Sequence, residues 1–441
     1  MKTKLSFIIT LLVIFTSFAQ DKQWTLKECV DYALEQNITI KQNELLVASS
    51  KEDLQSAKGN FLPNLNVSIS PQLNFGSSIG QSGSRISTNN FRSTFNANSS
   101  TTIFNGFRNL NTYKQAQLGV EASKLDLEKI QDDISLNIIN AYLNILFAKE
   151  NLTVAKTQYE ISKKQVQVTQ DQVEAGVKPR GDLLNAQSTA ATDAQNVVTI
   201  QNTLDLAKLN LAQLLQVSPN DFDVATIDVG SPSATLLYNN ADVVYEKALG
   251  NRPEISKAEL GVENANLGIE VAKGAYYPTL SFSAGLGSSY QNLFNNIITN
   301  DNFSKQFSDN LGYGLGFNLN IPVFNRLQTK SSVNKAIINQ KISEYDLEDQ
   351  KLQLRQTIEQ AFLDAKAAAK TFESAKISLE AQNESFKNAQ ESYNLGAMTS
   401  FDFEQVRNRL VNAEATLIRA KYDYVFKTKV LKFYYGEPIV E

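Results

Sequence analysis

Hydrophobic spacing divides the chain into two regimes, and each regime occurs twice. From about Arg108 to Ala175 there is no proline, and Ile138, Ile145, Leu152, Tyr159, Val166 and Val173 recur every seven residues. A small residue follows three positions later through most of the run: Ala141, Ala148, Ala155, Ser162 and Thr169. Ile358, Ala365, Phe372, Leu379, Phe386 and Tyr393 repeat the spacing, accompanied by Ala361, Ala368, Ala375 and Ala389. A sustained seven-residue period predicts long helices that supercoil on partners, and small residues beside the seam let the backbones approach closely. Leu183, Ala190, Val197, Leu204 and Leu211 continue the heptad on a returning helix, copied by Phe403, Leu410, Leu417, Tyr424 and Leu431. Each long helix runs to roughly 67 residues, or ~100 Å, and each returning helix to about half that. The missing half is assigned to a single opening helix of each repeat, about Thr25–Lys58 and Ala241–Lys273.

The second regime has a period of two. Residues 61–107 carry only Arg85 and Arg92 as charges, and residues 275–325 only Asp301, Lys305 and Asp309. Leu280, Phe282, Ala284 and Leu286 alternate with Ser281, Ser283 and Gly285. The same alternation runs through Leu311, Tyr313, Leu315, Phe317, Leu319 and Ile321, and through Leu65, Val67 and Ile69. Each segment reads as a hairpin with strands of about ten residues, the repeat unit of a membrane β-barrel with an apolar outside and a polar lumen. The loops are expected over Gly76–Asn90 and Asn292–Asp309. A soluble sheet with one wet face remains open at this point. Four strands cannot close a barrel, and lipid does not tolerate an open edge. Either several copies share one barrel, three of them supplying twelve strands, or the strands lie outside a membrane.

The two halves superpose in sequence. An offset of 220 pairs Ala141, Gly176 and Asp182 with Ala361, Gly396 and Asp402. Nearer each start the offset is 215, pairing Ala33, Gly59 and Pro63 with Ala248, Gly274 and Pro278. A period this long is a duplicated half-protein, not a solenoid repeat. The expected organisation is residues 20–217 as the first repeat, 218–240 as a linker packed around the helices, and 241–441 as the second. Residues 1–19 read as a secretory signal peptide, with Lys2 and Lys4 before the apolar run Leu5–Phe15 and small residues at Ser17 and Ala19. That run is too short to span a membrane, and with no cysteine just after it no lipid anchor is expected.

Composition then removes function classes. One cysteine excludes an internal disulfide framework. The absence of histidine removes the commonest general base and the commonest transition-metal ligand. Losing Lys2 and Lys4 from 42 basic residues leaves 40 against 46 acidic ones, an acidic balance that argues against nucleic-acid binding. Gly312, Gly314 and Gly316 alternate within a strand and open no helix, so they do not form a phosphate loop. No cofactor, no metal and no enzymatic activity are expected.

The duplicated helix–hairpin–helix layout, the start Trp24-Thr25-Leu26-Lys27-Glu28-Cys29 and the Gly-x5-Asp turns together resemble the TolC-like outer membrane efflux proteins, over essentially all of residues 22–436. The resemblance implies a homotrimer, a mixed α/β membrane protein with a 12-stranded β-barrel in outer membrane lipid. Below the membrane it implies a helical barrel across the periplasm, fed at its tips by a periplasmic adaptor and an inner-membrane pump. The function implied is a passive exit duct for a tripartite efflux pump or type I secretion system. A periplasmic coiled-coil scaffold or adaptor without a pore is the competing reading. It accounts for the helices but not for two charge-poor alternating segments at matched positions.

Function would then sit at the two turns. Gly176 and Gly396 are expected to stop the ascending helices, and Asp182 and Asp402 to open the descending ones, where a carboxylate caps free N–H groups. The resemblance adds adaptor docking at Gly176, Val177, Arg180, Gly396, Ala397 and Thr399. It also places Tyr393 on a constriction tyrosine held by Asp182, and Asp402 on a carboxylate ring facing the lumen. Tyr393 equally ends the heptad series, which offers it a plain packing role. Two positions depart from the family pattern: Met398 stands where a gate-locking arginine is expected, and Gln405 where a second acidic ring is expected. A gate with fewer polar ties and a less acidic throat follows.

Overall fold

The computed structural model describes residues 23–79, 83, 85–87, 89–226, 238–294 and 300–438. Residues 1–19, expected as a signal peptide, and residues 227–237 of the expected linker lie outside the described residues. The chain divides into two compact units, and each draws on both sequence halves. One takes in the chain up to Glu44, Asp126–Ile255 and the chain from Gln350; the other takes in Leu45–Leu125 and Ser256–Asp349.

In the first unit the heptad seams are the core. The long helices are α3 (Arg108–Glu174) and α8 (Gln328–Asn394), each of 67 residues, and the returning helices are α4 (Arg180–Leu215) and α9 (Ser400–Tyr435), each of 36. Ile138, Ile145 and Leu152 are buried on α3 beside Ala141, Ala148 and Ala155. Ile358, Ala365 and Phe372 are buried on α8 beside Ala361, Ala368 and Ala375. Two polar seam residues, Ser162 and Thr169, are buried as well, and so is Ser135 beside the seam. The hydroxyls of Ser135 and Ser162 donate to carbonyls one turn back on their own helix, Ser162 to Tyr159 at 3.0 Å, so their burial leaves no donor unpaired.

Each opening helix, expected as one piece, is two. The first is α1 (Leu26–Gln36) followed by α2 (Ile38–Gly59), broken at Asn37; the second is α5 (Ala241–Asn251) followed by α6 (Pro253–Lys273), broken at Arg252. The breaks match across the 215 offset, but their causes differ. Pro253 forces the residue before it out of the helical region, and Arg252 sits at φ −87°, ψ 124°. At Asn37 the side-chain oxygen accepts the Thr39 N–H at 2.8 Å and caps α2, while its amide donates to the Leu214 carbonyl. The start of α1 is a capping box: Thr25 accepts from the Glu28 N–H, and the Glu28 carboxylate accepts from the Thr25 N–H at 2.8 Å.

A short parallel pairing, β1 (Gln23–Trp24) with β6 (Asp223–Val224), was not visible in the residue pattern. The buried Tyr142 hydroxyl donates to the Ala225 carbonyl at 2.7 Å, and Lys149 and Lys208 close on Asp223 at 2.8 and 3.0 Å.

In the second unit a four-stranded antiparallel sheet runs in the order β2 (Asn64–Asn74), β5 (Asn90–Phe104), β7 (Thr279–Leu293), β8 (Gly312–Asn320). The strands are 11, 15, 15 and 9 residues long, so β5 and β7 outrun the expected ten. The two expected loops also carry structure: a ribbon of β3 (Ser77–Ile79) with β4 (Arg85–Ser87), and the helix α7 (Phe303–Asp309). Where the two halves meet below the sheet, a Cβ on Gly106 would stand 2.3 Å from the Gly274 carbonyl oxygen, so only glycine fits.

Burial pushes the Asp223 carboxyl pKa upward, but the Lys149 and Lys208 ammonium groups outweigh it and hold the pKa below the usual value. A depressed carboxylate stabilises the fold above its unfolded pKa and loses that contribution as pH falls through the folded value. Asp223→Asn is therefore expected to lower stability at neutral pH by about 1–2 kcal/mol. It should also flatten the fall of the native melting temperature below about pH 4, read by thermal melts in detergent at several pH values.

Candidate functional site

The sheet sorts its side chains by chemistry. Pairing registers place Val67, Ala97, Leu286 and Tyr313 in one row across all four strands, and Leu65, Ser99, Ala284 and Leu315 in the next. The opposite face carries Asn66, Asn98, Gly285 and Gly314 in one row and Ser68, Asn96, Gly287 and Gly312 in another. The apolar face is open: Tyr313 is 88% exposed, Leu315 76% and Leu65 72%. An apolar surface of this extent is stable only against hydrocarbon or another apolar surface. Rings gather at both ends of the face. Phe95, Tyr290, Phe303 and Phe307 pack near the loops, with centroids 5.4–5.8 Å apart in each contact, and Phe282 meets Phe317 at 5.1 Å toward the helices.

The turns between the long and returning helices share one geometry. Gly176 and Gly396 both have φ +72°, the left-handed region. Val177 N–H reaches back to the Gln172 carbonyl and Ala397 N–H to the Ser392 carbonyl, both at 2.8 Å. This is the six-to-one closure that a C-terminal glycine permits, as expected for both residues. The acids stand differently from expectation. The N-cap residues are Pro179 and Thr399, while Asp182 and Asp402 occupy the third helical position. Thr399 does the capping: its hydroxyl accepts the Asp402 N–H at 3.1 Å and donates to the Asp402 carboxylate at 2.7 Å. Proline blocks the same device in the first turn, because its side chain has no acceptor. Both acids still lie in the first turn, where the helix dipole favours negative charge.

Tyr393 is buried, stacked on Phe403 with centroids 4.7 Å apart and planes 12° off parallel, within a cluster that includes Ala389, Phe386, Met398 and Val406. The Lys178 ammonium lies 3.8 Å from the Tyr393 ring centroid. Among the described residues no hydrogen bond joins the Tyr393 hydroxyl to Asp182; the tie between the two turns is this cation–ring contact. Met398 completes the apolar wall of the cluster. Asp402, Gln405, Gly176, Val177, Arg180, Gly396, Ala397 and Thr399 are all exposed, and Asp182 is half-buried.

One group escaped the residue pattern. Arg407 on α9 is 4% exposed and pairs with Asp193 on α4 and with Glu404, the latter at 3.0 Å. Burial pushes the Glu404 carboxyl pKa above its usual value against the pull of Arg407. A signal did exist: Asp193 follows Ala190 by three, a seam position that holds Ala413 in the second half.

The chain matches the outer membrane efflux protein family over residues 29–216 and 244–437. It belongs to that family. It is similar to outer membrane protein TolC of Salmonella enteritidis, 24% identical over 263 residues, covering 58% of this chain and 51% of that protein. It is also similar to alkaline protease secretion protein AprF of Pseudomonas aeruginosa, 22% identical over 261 residues, covering 58% and 50%. The chain spans about half the length of the curated relatives it matches. The fold is that of the outer membrane protein VceC from Vibrio cholerae, with TM-score 0.76 at 18% identity, covering 94% of this chain and 96% of VceC. Family membership agrees with the resemblance drawn from the repeat and the turns.

The left-handed glycines are strained for any other common residue. Gly396→Ala is expected to destabilise the protein by about 1–2 kcal/mol and Gly396→Asn by less, because asparagine tolerates this region. Open space around the missing Cβ leaves conformation as the sole cause, and denaturation midpoints of the two variants in detergent compare them directly.

Proposed function

We propose that three copies of this chain form an exit duct in the outer membrane. The observation that carries the reading is the four-stranded sheet, with one exposed apolar face and a reverse face of Asn, Ser and Gly. In lipid, every backbone polar group must be paired, so a four-stranded sheet whose outer strands are β2 and β8 requires the neighbouring copies to close a ring. Three sheets give twelve strands, apolar toward lipid and polar toward the lumen, with the aromatic groups at both ends placed as interfacial girdles. The seamed helices of the three copies then build a second, helical barrel through the periplasm.

Such a duct does no chemistry and supplies no energy. An inner-membrane pump drives transport, and a periplasmic adaptor docks on the turns at Gly176, Val177, Arg180, Gly396, Ala397 and Thr399. The gate lies at the same end, formed by Tyr393, Asp182, Asp402 and Gln405. The assembly served is an efflux pump or a type I secretion system. The family description and the secretion protein AprF support that pair, and the pump selects the cargo.

Purified protein in planar bilayers tests the reading. Discrete currents are expected from the native protein, and larger ones from Tyr393→Ala, which removes the ring beneath Lys178. Leu315→Arg on the apolar face should reduce membrane-inserted protein, at a cost of about 2–4 kcal/mol near mid-bilayer. Verified insertion without current from any form would return the protein to a scaffold role.

A further inference from the structure

The helix α9 carries a second heptad beside its apolar one. Arg407, Glu414 and Lys421 recur every seven residues, and each reaches a helix of the first half. Arg407 pairs with Asp193 on α4, Glu414 accepts a hydrogen bond from the Gln158 amide on α3 at 3.3 Å, and Lys421 pairs with Glu150 on α3 at 2.9 Å. The stripe therefore fastens the second helical pair to the first through contacts of alternating sign, positive, negative, positive.

The three contacts differ in depth. Lys421 and Glu150 keep 23% and 37% of their side-chain surface in solvent, whereas Arg407 keeps 4%. A solvated pair contributes little to stability, but breaking a buried one leaves an uncompensated charge and costs far more. Arg407 is also the member of the stripe nearest the turns. Its partner Glu404 directly follows Phe403, the ring stacked on Tyr393. A small cavity beside it has a mixed lining, polar at Ser162, Thr189, Gln390 and Arg407 and apolar at Ala186 and Phe386, so all four helices contribute to this level. The buried guanidinium lies one turn beyond the Tyr393–Phe403 stack and ties the same helical pairs that Lys178 and Tyr393 join at the turns.

We infer that Arg407, through Asp193, is the positioning residue that holds the second helical pair against the first and keeps the periplasmic entrance narrow. This rests on the duct reading above. Release of the pair frees the end of α9 next to the turn, while the shallower Lys421–Glu150 contact acts as a fixed point farther along the helix.

The test compares single-channel recordings of native protein, Arg407→Gln and Lys421→Gln, all purified as the full chain and checked for equal insertion. Arg407→Gln is expected to raise the open fraction about tenfold, and Lys421→Gln to leave it near the native value. A double variant, Asp193→Cys with Arg407→Cys in a Cys29→Ala background, should be open when untreated. It should return to native currents when bridged by a short bis-methanethiosulfonate reagent, and reopen on adding reductant. Reversible closure of one and the same protein separates a latch from mere loss of stability. Currents that are equal in native protein and Arg407→Gln, or a bridged variant that stays open, would overturn the latch and leave the duct standing. Absence of current from every form despite insertion would remove both.

Discussion

A seven-residue seam flanked by small side chains sets a narrow rule for the helices. Ile, Leu and Phe at one position supply the burial, and Ala, Ser or Thr three residues later lets a neighbouring backbone come close. The seam must be kept over ten turns or more, so each helix needs partners along its length, and the returning helices carry the same period as the long ones. Deviations from the rule are therefore informative. Ser162 and Thr169 are buried on the seam without offering a charge, whereas Asp193 replaces the alanine found at the matched position in the other half. A carboxylate in that place requires a cation, and Arg407 meets it from across the helical pairs.

The sheet follows a different rule. In strands, successive side chains fall on opposite faces, and the pairing registers keep every apolar row on one side across all four strands. A slip of one residue would turn Leu65, Val67 and Ile69 to the polar face, so register is strongly specified. Charge scarcity in these segments fits the duct reading, in which one face of the sheet meets lipid.

Within the helical regime, each turn closes a long helix and opens the returning one. Glycine at φ +72° closes the ascending helix in both halves, and an acid stands in the first turn of the descending helix. The halves then diverge where proline replaces threonine at the cap. Pro179 leaves Asp182 without the hydroxyl that holds Asp402. That divergence gives two matched turns different chemistry, one presenting Lys178 and the other receiving it on the Tyr393 ring.

Local periodicity was sufficient for the long elements. The spacing of Ile138 to Val173 and of Ile358 to Tyr393 specified two long helices ending at glycine, because burial every seven residues leaves a trace in sequence whatever the partner is. The alternation of Leu280 to Leu286 and of Tyr313 to Leu319 specified strands for the same reason. Long-range pairings leave no such trace. The β1–β6 contact, the break at Asn37, the extra ribbon and helix in the hairpin loops, and the Lys178–Tyr393 contact all depend on which distant groups meet. The burial of Arg407 left only an indirect mark, the carboxylate of Asp193 at a seam position that holds Ala413 in the other half. The sequence by itself determined the long and returning helices, the four main strands, the glycine turns and the family resemblance, through short-range patterns that each residue enforces on its neighbours. Only the tertiary structure decided which charges are buried and paired, because that depends on groups such as Asp193 and Arg407, 214 residues apart, arriving at one place.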